Sequence, residues 1–575
     1  YREWLTNLKI LDPACGSGAF LNQALEFLIN EHTLVRDMLL PFEDLTLGYE
    51  IEKEILEHNL YGVDINEDAV EIAKLSLWLR TAHKGRELTK LADKIKCGNS
   101  LIDDKTVAEN AFVWEEEFAE VFVQGGFDVV IGNPPYVDSE SMTKFYKDER
   151  KWIAKKYKTA VGNWDIFIPF VELGLSLLKN SRYLSFIIPN KILSANYGTT
   201  LREYINENYS LNEIFDLSVN NVFEIDVYPV IVSLNKETQV SNIKISYQKD
   251  EEVFSRNVNY RYENNWALYL DRNYDLYSKV FTKYKLLNLQ KEFSLYSSAS
   301  VSEAYEIKEF IENSKIIDTD YLKLINTGTI DPYSCSWGIS SMTYIKDTYM
   351  HPIINLKNIK KKMWTQKPKI AFAGMATRIE AFIDTEGVFL PLKSTTVLTA
   401  ESESSLKFIG CILNSRLITF IFKIANSANT MAGGYLNINQ DNLGMLPIPN
   451  ILLENQQPFI QKANKMLALY KQLQETKQNF TNELGLEKLT KKLQNFEELE
   501  FDEFIKEYAK AKKLKFADKL AERNFKQEWQ AIFENDKAIT CKLKDEIAKT
   551  DKEIDEMVYK LYDLTDDEIK IVEGV

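Results

Sequence analysis

Paired cysteines and clustered histidines are missing from this sequence. Its five cysteines stand far apart without a CxxC pair, and its four histidines are scattered. Structural zinc sites need clustered Cys and His ligands, and secreted disulfide frameworks need several cysteines at close spacings. The composition therefore predicts a metal-free protein of the reducing cytoplasm.

Long apolar runs are also missing. No stretch approaches the roughly 18 consecutive apolar residues of a membrane span, and no signal-peptide pattern opens the chain. With 45% hydrophobic and 27% charged residues in 575 positions, we expect a soluble protein of several domains and no membrane partner. Because the chain starts at Tyr1 and a strand-like segment begins at once, we expect a piece or processed product of a longer chain.

A net positive charge, the usual signature of nucleic-acid binding, is missing as well, since the formal net charge is −15. Binding depends on the local distribution of charge rather than on its sum. Residues 321–450 contain 13 Lys and Arg against 8 Asp and Glu, and residues 356–378 contain seven basic residues and no acidic one. This basic middle segment is compatible with DNA held in a cleft.

Short apolar runs alternate with helical patterns over residues 8–235. Six runs are predicted strands and a seventh is a predicted late strand: KILDPA, NLYGVDIN, KIKCG, FDVVIG, RYLSFIIP, LNEIFDL and VYPVIVSLNK. Between them, AFLNQALEFLIN and EDAVEIAKLSLWLR place apolar residues at three- and four-residue spacings, which indicates amphipathic helices. The alternation predicts an α/β fold with an open, mostly parallel sheet covered on both faces.

Composition divides the chain into four segments. We predict an α/β domain over residues 1–240, a connecting region over 241–320, an α+β domain over 321–452 and a helical region over 453–575. The helical prediction rests on apolar residues at helical spacing and on the lack of proline after Pro458. Thr565 and Glu568 have the spacing of a capping box for a last helix.

A loop of small residues, LDPACGSGAF, follows the first predicted strand. Asp12 ends the strand, and Gly16 and Gly18 lie in the turn before a helix. Small residues let a nucleotide-like ligand approach the backbone, and Asp12 can accept a hydrogen bond. The loop lacks both the GxGxxG spacing and the GK[ST] of a P-loop, so a ligand loop and a tight structural turn both remain open.

The next two predicted strands also end in polar residues. Asp64 ends the second strand, where a carboxylate can accept hydrogen bonds from both hydroxyls of a ribose. Asn99 and Leu101 follow the third strand, where an amide and an apolar side chain can meet a base. A helix N-cap or a turn explains each residue separately. Because ligands of open α/β sheets lie at the carboxyl ends of the strands, three such ends in succession predict a nucleoside site.

The fourth predicted strand ends in NPPY, residues 133–136. Asn133 offers a side-chain oxygen, and Pro134 offers a carbonyl whose direction the rings fix. Two such acceptors can hold both hydrogens of an amine and free its lone pair for attack on a methyl donor in the neighbouring site. Tyr136 supplies a flat face for a stacked base. A rigid turn is the alternative for a proline pair.

In this order, DPACGSG, GVDIN, CGNSL and NPPY resemble the gamma class of S-adenosyl-L-methionine (AdoMet)-dependent DNA N6-adenine methyltransferases. Residues 353–450 are similar to the target-recognition region of TaqI-type and type IIG restriction–modification enzymes. The resemblance implies a Rossmann-like methyltransferase domain with AdoMet as cofactor. It implies double-stranded DNA with a flipped-out adenine as substrate, in a restriction–modification or phage-defence system.

The resemblance also implies roles for individual residues. Those expected to contact AdoMet are Asp12, Ala14, Gly16, Gly18, Asp64, Ile65, Asn99 and Leu101. Those expected to hold the adenine are Asn133, Pro134, Pro135 and Tyr136, with Phe223 on the other face of the base. A core position is the alternative for Phe223. The family usually has Asp at the position of Asn99, and its cofactor site includes a segment that we expect to precede Tyr1.

Phosphate contacts must offset the cost of flipping a base out of the duplex. The basic segment supplies the predicted DNA contacts: Lys360, Lys361, Lys362, Trp364, Lys367, Lys369 and Arg378. A solvated charged face is the alternative. The helical tail is compatible with a DNA clamp, with a contact for a partner subunit, or with a simple scaffold.

Other functions remain open at this point. A protein glutamine N5-methyltransferase would use the same acceptors, although such enzymes lack a large recognition region. N4-cytosine methylation and a DNA-binding specificity subunit without activity are the further alternatives. No convincing nuclease motif of the D…(D/E)xK type appears in the sequence, and there is no room for one before Lys9, so we expect that this chain does not cut DNA. An N-terminal nuclease domain or a partner restriction subunit would then lie outside it.

Overall fold

The chain folds into two units, Tyr1–Asp275 and Leu276–Val575. The structure is a computed structural model, and it describes residues 1–39, 51–81, 91, 93–217, 228–237, 241–249, 252–316, 318–360, 362–427, 434–486 and 489–575.

One sheet forms the centre of the first unit. Its strands are β1 (Ile10–Asp12), β2 (Leu60–Asp64), β3 (Ile95–Cys97), β4 (Phe127–Gly132), β5 (Leu178–Pro189), β6 (Ser210–Asp216), β7 (Pro229–Asn235), β8 (Asn242–Lys249) and β9 (Glu252–Asn259). Among the described residues the sheet has nine strands, in the order β3-β2-β1-β4-β5-β7-β6-β8-β9. Each predicted strand of residues 8–235 is therefore present.

Seven of these nine strands point in the same direction. The neighbours from β3 to β5 pair in parallel, and so do β6 and β8. The late strand β7 runs antiparallel between β5 and β6, and β9 is antiparallel to β8. The predicted mostly parallel sheet is confirmed. The place of β7 depends on long-range pairing that an apolar run does not indicate.

Helices lie on both faces of this sheet, as predicted. The helices of the first unit are α1 (Arg2–Asn7), α2 (Ala19–Leu39), α3 (Ile51–His58), α4 (Glu67–Thr81), α5 (Trp114–Glu117), α6 (Ala119–Phe122), α7 (Ser139–Phe145), α8 (Lys147–Lys156), α9 (Phe167–Ser176) and α10 (Thr199–Asn208). In β2, Leu60 packs in the core with Leu25 of α2. The next residue, Tyr61, contacts the rings of Phe118 and Phe127 at 5.4 Å each, because successive strand residues face opposite sides.

The boundaries of the units differ from the predicted domain boundaries at residues 240 and 320. Strand β8 pairs in parallel with β6, so the first sheet continues past residue 240. The predicted connecting region is thus divided, since its first part completes this sheet and its later part belongs to the second unit. A polar, Tyr- and Asn-rich composition does not show which sheet an edge strand joins.

The second unit begins with small sheets. Its strands are β10 (Phe293–Ser297), β11 (Glu312–Asn313), β12 (Tyr321–Ile325), β13 (Ile330–Asp331), β14 (Ser334–Cys335), β15 (Met342–Tyr344), β16 (Asp347–Tyr349), β17 (Pro352–Asn355), β18 (Lys369–Ala373), β19 (Met375–Ala376), β20 (Ala381–Asp384), β21 (Phe389–Pro391), β22 (Thr395–Ala400) and β23 (Leu436–Asn437). Two sheets have four strands each, β10-β22-β18-β20 and β11-β17-β12-β21. They confirm the predicted α+β character.

Helices complete the second unit. They are α11 (Tyr274–Lys283), α12 (Val301–Lys308), α13 (Glu403–Asn414), α14 (Arg416–Ala425), α15 (Gln440–Gly444), α16 (Leu453–Glu483), α17 (Lys491–Gln494), α18 (Phe501–Lys512), α19 (Lys519–Leu561) and α20 (Asp566–Glu573). In the described part of the chain, no single helix has the length and apolar character to cross a bilayer. Only α13 and α14 together do, and that pair is bent by 65°.

The predicted helical C-terminal region is confirmed. Helices α16 and α19 run antiparallel, because Lys462 pairs with Glu553 near one end and Phe480 packs with Phe533 near the other. The capping box predicted for the last helix is present: the Thr565 hydroxyl accepts the Glu568 N–H and the Glu568 carboxylate accepts the Thr565 N–H. We call residues 453–561 the helical arm.

Candidate active site at the strand ends

The predicted polar residues lie along one edge of the first sheet. Strands β3, β2, β1 and β4 are neighbours and run in parallel. Their carboxyl ends therefore bring Asn99, Asp64, Asp12 and Asn133 to the same edge in that order. This edge is where open α/β sheets bind their ligands.

The loop after β1 depends on two glycines. Gly16 and Gly18 have φ angles of +52° and +85°, in the left-handed region that other residues rarely adopt. The Gly16 N–H donates to Oδ2 of Asp64 at 2.8 Å, which joins the loop to the end of β2. A Cβ on Gly18 would stand 3.0 Å from the Cβ of Ala73 in α4. The glycines thus allow a tight turn that is joined to the carboxyl end of β2.

Asp12 lies behind this loop and is almost fully buried. Its Oδ1 accepts the Ala14 N–H at 3.0 Å. A Cβ added to Gly132, whose φ is +153°, would stand 2.6 Å from the same oxygen, so the carboxylate lies against the backbone just before Asn133. Burial raises the pKa of Asp12 to about 7, and the charge of Asp64 adds to this effect. A buried carboxylate is thus placed between the glycine loop and NPPY.

A cavity of about 600 Å³ opens at this edge. Seven of the predicted site residues line it: Ala14, Asp64, Ile65, Asn99, Leu101, Asn133 and Pro135. Among the described residues, the predicted ones that do not line it are Asp12, Gly16, Gly18, Pro134 and Tyr136. Its volume is in the range of small-molecule and cofactor sites.

The NPPY segment contains hydrogen-bond acceptors that have no donor partner among the described residues. The Oδ1 of Asn133 is buried, and no donor in the described part of the chain reaches it. Pro134 is buried, and no hydrogen bond of the described residues ends on its carbonyl. The Tyr136 hydroxyl donates to the Ile187 carbonyl of β5 at 3.1 Å, and burial raises the pKa of Tyr136 above its ordinary value. Buried acceptors rarely stay unpaired in folded proteins, so Asn133 needs an explanation.

The third strand end is joined to the glycine loop by a residue that the sequence analysis missed. The Ser100 hydroxyl donates to the Pro13 carbonyl at 2.6 Å, and the Trp114 indole donates to the Ser100 carbonyl at 3.0 Å. The Asn99 Oδ1 accepts the Leu101 N–H at 3.2 Å. These bonds fix the turn in which Asn99 and Leu101 face the cavity.

Helices α7 to α9 supply a mostly apolar wall that was also missed. The lining residues from this part of the chain are Val137, Met142, Tyr146, Glu149, Ile153, Ile166 and Phe170. Met142, Tyr146, Glu149 and Ile153 follow NPPY at spacings of four, three and four residues. This spacing is typical of one helix face and was the available signal, although the four residues divide between α7, α8 and the residue that joins them.

Two predicted residues, Phe223 and Lys361, lie outside the described residues. Their predicted roles in base stacking and DNA binding stay predictions.

Two of the predicted DNA contacts are wrong, because their side chains are inside the second unit. Lys369 is fully buried and pairs with Asp384 at 2.8 Å across β18 and β20. Burial lowers the pKa of Lys369, and the Asp384 carboxylate opposes this shift. Trp364 is 1% exposed and belongs to the core of the small sheets. Neither side chain can reach a phosphate.

The other described basic residues of this segment differ in exposure. Lys362 is partly buried and bonds to the Ser298 carbonyl and the Glu303 carboxylate at 2.6 and 3.1 Å. Arg378 is half-buried and donates to the Asn414 carbonyl at 2.8 Å. Lys360 and Lys367 are exposed. The segment is thus a mixture of core, internal contacts and surface rather than one continuous basic face.

The fold and site of the first unit define a class. In this unit, the carboxyl ends of parallel strands place polar residues around a cavity. That arrangement is the architecture of α/β nucleotide- and cofactor-binding domains.

Family models match three separate stretches of the chain. Residues 58–223 match the Eco57I restriction-modification methylase family, and residues 322–448 match the TaqI-like C-terminal specificity domain. Residues 453–558 match a domain of unknown function. The chain therefore joins a restriction–modification methylase domain to a TaqI-like specificity domain. This confirms the resemblance drawn from the motifs.

Individual relatives agree with these domains. The chain is 32% identical over 252 residues to the type II restriction enzyme and methyltransferase RM.Eco57I of Escherichia coli, covering 40% of this chain and 25% of that protein. It is 28% identical over 246 residues to the adenine-specific methyltransferase PglX of Streptomyces coelicolor, covering 37% and 19%. The chain thus spans a quarter or less of either relative. The solved structure of the type IIL restriction–modification enzyme MmeI with DNA matches at 12% identity and a TM-score of 0.42, over 100% of this chain and 73% of that chain.

Proposed function

We propose that this chain transfers a methyl group from AdoMet to the N6 amine of a flipped-out adenine in double-stranded DNA. The observation that carries the proposal is the buried, donor-free Oδ1 of Asn133 on the wall of the cavity that Ala14, Asp64 and Asn99 also line. An exocyclic amine brings the missing donors. The adjoining specificity-domain match favours a DNA base over a protein amide as the source of that amine.

The residues present fit AdoMet. The Asp64 oxygens each accept one backbone N–H, from Gly16 and from Asn66, which leaves lone pairs free for two ribose hydroxyls. The amide of Asn99 and the side chains of Leu101 and Phe170 on the same cavity suit a planar base. When bound, AdoMet supplies a methyl group on a positively charged sulfur.

The chain's own residues prepare the amine. The Asn133 oxygen accepts one amine hydrogen, and the Pro134 carbonyl is the second acceptor. Both hydrogens are then held, so the nitrogen lone pair is directed away from the ring. The Tyr136 ring, which follows these acceptors in the chain and is held by its hydroxyl bond to the Ile187 carbonyl, is the surface proposed for the base. Preorganised hydrogen bonds of this kind act more strongly in a cavity that excludes water.

The proposal extends to the system in which the chain works. Its methylase domain matches a restriction–modification family, so we propose that it protects DNA from a restriction activity. A further domain or a partner subunit would supply that activity.

The test is to incubate the chain with duplex DNA and AdoMet labelled in the methyl group. We expect label in DNA, and N6-methyladenine after digestion to nucleosides. Label in N4-methylcytosine would support DNA methylation but contradict the proposal that adenine is the methylated base. Label on protein glutamine, with none in DNA, would support the rival protein methyltransferase. DNA binding without label on either substrate would support a specificity subunit.

Asp12→Asn should stabilise the fold at pH 8 and weaken AdoMet binding about 10-fold. The folded-state pKa of Asp12 is about 7 against the ordinary value of 3.8 for an exposed aspartate, so between these values the folded chain holds a proton that the unfolded chain releases. Stability from this group therefore falls as pH rises through that window, by up to about 4 kcal/mol. Asn keeps the oxygen that accepts the Ala14 N–H but carries no charge. Thermal unfolding at pH 5 and pH 8 and calorimetric titration with AdoMet measure both effects.

Glu263→Gln is the matched control. Glu263 lies in the same unit, and burial likewise raises its pKa to about 7. Because Glu263 also pairs with Arg261 at 3.0 Å, Glu263→Gln tests only the cofactor effect, and it should leave AdoMet affinity unchanged. Wild-type AdoMet affinity in Asp12→Asn would refute the predicted cofactor role of Asp12.

A further inference from the structure

The far end of the helical arm carries a concentration of positive charge. Residues 506–526, which we call the arm tip, contain eight Lys and Arg against three Asp and Glu, in a chain whose net charge is −15. The arm tip comprises the end of α18, the following loop and the start of α19.

The base of the arm is fixed to the specificity domain. In α19, Asp555 accepts the Arg416 N–H at 2.8 Å and pairs with its guanidinium at 3.3 Å. In α16, the Phe459 ring packs on Phe408 of α13 at 5.4 Å. Arg523 precedes Asp555 by 32 residues of the same helix, a distance of about 48 Å at the helical rise per residue. The arm thus holds its tip far from its own base.

Two acidic residues that precede the tip, Glu497 and Glu500, pair with lysines elsewhere in the arm. Glu497 pairs with Lys477 and Lys544 at 2.9 and 2.5 Å, and Glu500 pairs with Lys537 at 3.1 Å. These lysines belong to the long helices α16 and α19. The carboxylates of Glu497 and Glu500 are therefore directed toward the arm, whereas Asp502 pairs with Lys526 of the tip at 3.8 Å.

Most cations of the tip have no carboxylate partner among the described residues; Lys526, which pairs with Glu522 and Asp502, is an exception. In the part of the chain that the structure describes, seven exposed basic side chains of the tip have no ion pair: Lys506, Lys510, Lys512, Lys513, Lys515, Lys519 and Arg523. Of these, Lys512 donates to the Leu484 carbonyl and the Tyr508 hydroxyl. The favourable interaction of cations with a helix C-terminus accounts for only some of these basic residues. Lys510 lies in the last turn of α18, where cations are favourable, but Lys519 and Arg523 lie at the start of α19, where they are unfavourable.

Aromatic rings hold the tip together from inside. Tyr508 of α18 stacks with Phe525 of α19 at 5.8 Å, and Phe516 of the loop contacts Phe525 at 5.3 Å. These contacts bring the end of α18, the loop and the start of α19 together. The rings pack inside while the lysines face outward. Protein interfaces are depleted in Lys and enriched in aromatic residues, whereas phosphate contacts use exposed cations.

We propose that the arm tip binds the phosphate backbone of duplex DNA, independently of sequence and on DNA flanking the site that the specificity domain reads. This inference rests on the proposed function, because it assumes a DNA substrate. A span of about 48 Å corresponds to about 14 base pairs. The contact adds affinity and helps to offset the cost of flipping the target base.

The test uses two quadruple variants of the whole chain. The tip variant is Lys510→Gln, Lys513→Gln, Lys515→Gln and Lys519→Gln. The matched control removes the same charge from exposed lysines nearer the base of α19, namely Lys542→Gln, Lys549→Gln, Lys552→Gln and Lys560→Gln. Fluorescence anisotropy with a labelled random-sequence 40-base-pair duplex at about 50–200 mM salt gives the affinity and its salt dependence. Circular dichroism and melting confirm that both variants fold.

The tip variant should bind at least about 10-fold more weakly at the lowest salt, and its salt slope should fall by about 2 to 4, since each phosphate contact contributes about 0.9. The control should keep the wild-type slope. An unchanged slope in the tip variant, or an equal loss in the control, overturns the proposal, and the tip would then face solvent or a protein partner. Methylation by the wild-type chain is measured in parallel. If it is absent, the proposed function fails, whereas a slope that depends on the tip still supports the contact.

Discussion

Asn133→Ala should lower the rate of methyl transfer to DNA by about 10²–10³-fold, the loss seen when one preorganised hydrogen-bonding group is removed from an active site. The substitution removes the buried Oδ1 that meets no donor in the described part of the chain. Without it, one hydrogen of the amine is not held and the lone pair stays delocalised into the ring. Binding of DNA and of AdoMet should change by less than about 10-fold. Single-turnover methylation and separate binding titrations distinguish the two effects.

Two further variants make this result specific. Asn133→Asp keeps an oxygen acceptor in place and should lose less activity than Asn133→Ala. Asn212→Ala is the matched control, because Asn212 lies in β6 of the same sheet and its Oδ1 is likewise buried without a donor, but it does not line the cavity. It should keep the wild-type rate. Wild-type activity in Asn133→Ala, or an equal loss in Asn212→Ala, would refute the catalytic role.

The part of the site that local sequence could predict is the set of strand ends. Asp12, Asp64, Asn99 and Asn133 each follow a short apolar run, and the direction of parallel strands then brings their ends to one edge. No knowledge of side-chain packing is needed for that step. The roles assigned to these residues in binding and catalysis stay predictions until variants are tested.

The rest of the cavity depends on tertiary packing. Met142, Ile153 and Phe170 come from separate helices, and their apolar side chains fit a protein core equally well. Ser100 reaches Pro13 across 87 residues of sequence. A serine in a turn has many local partners, so sequence alone does not indicate that bond.

Sequence alone also does not show how the charged residues of the two basic segments are paired in the fold. The run from Lys357 to Arg378 has no acidic residue, yet Glu303, Glu306 and Asp384 from other elements pair with three of its lysines. At the arm tip, acidic and basic residues alternate more closely in sequence, but the helices direct them to different places. A count of charges along the chain therefore overestimates the exposed positive charge of residues 357–378 and underestimates that of the arm tip.

Lys369→Met should lower the free energy of unfolding of the second unit by about 3–5 kcal/mol, as expected when one partner of a buried ion pair is removed. Asp384 would keep its backbone donors, the N–H groups of Gly387 and Phe389 at 2.9 and 3.0 Å, but its charge would lose the only cation paired with it in the described chain. Had Lys369 been a phosphate contact, the same change would leave stability intact and reduce the salt slope of DNA binding by about 1. Denaturant unfolding and anisotropy separate these outcomes.

Lys367→Met is the matched control, because Lys367 lies two residues earlier and is exposed. It should change the free energy of unfolding by less than about 0.5 kcal/mol. The double variant Lys369→Met, Asp384→Asn should recover part of the loss, since Asn keeps an acceptor for the Gly387 N–H and removes the unpaired charge. Buried pairs can often be replaced by uncharged residues of similar volume at little cost. Recovery in the double variant would assign the loss to the isolated carboxylate, whereas a further loss would show that Asp384 needs its charge to hold the turn at 387–389.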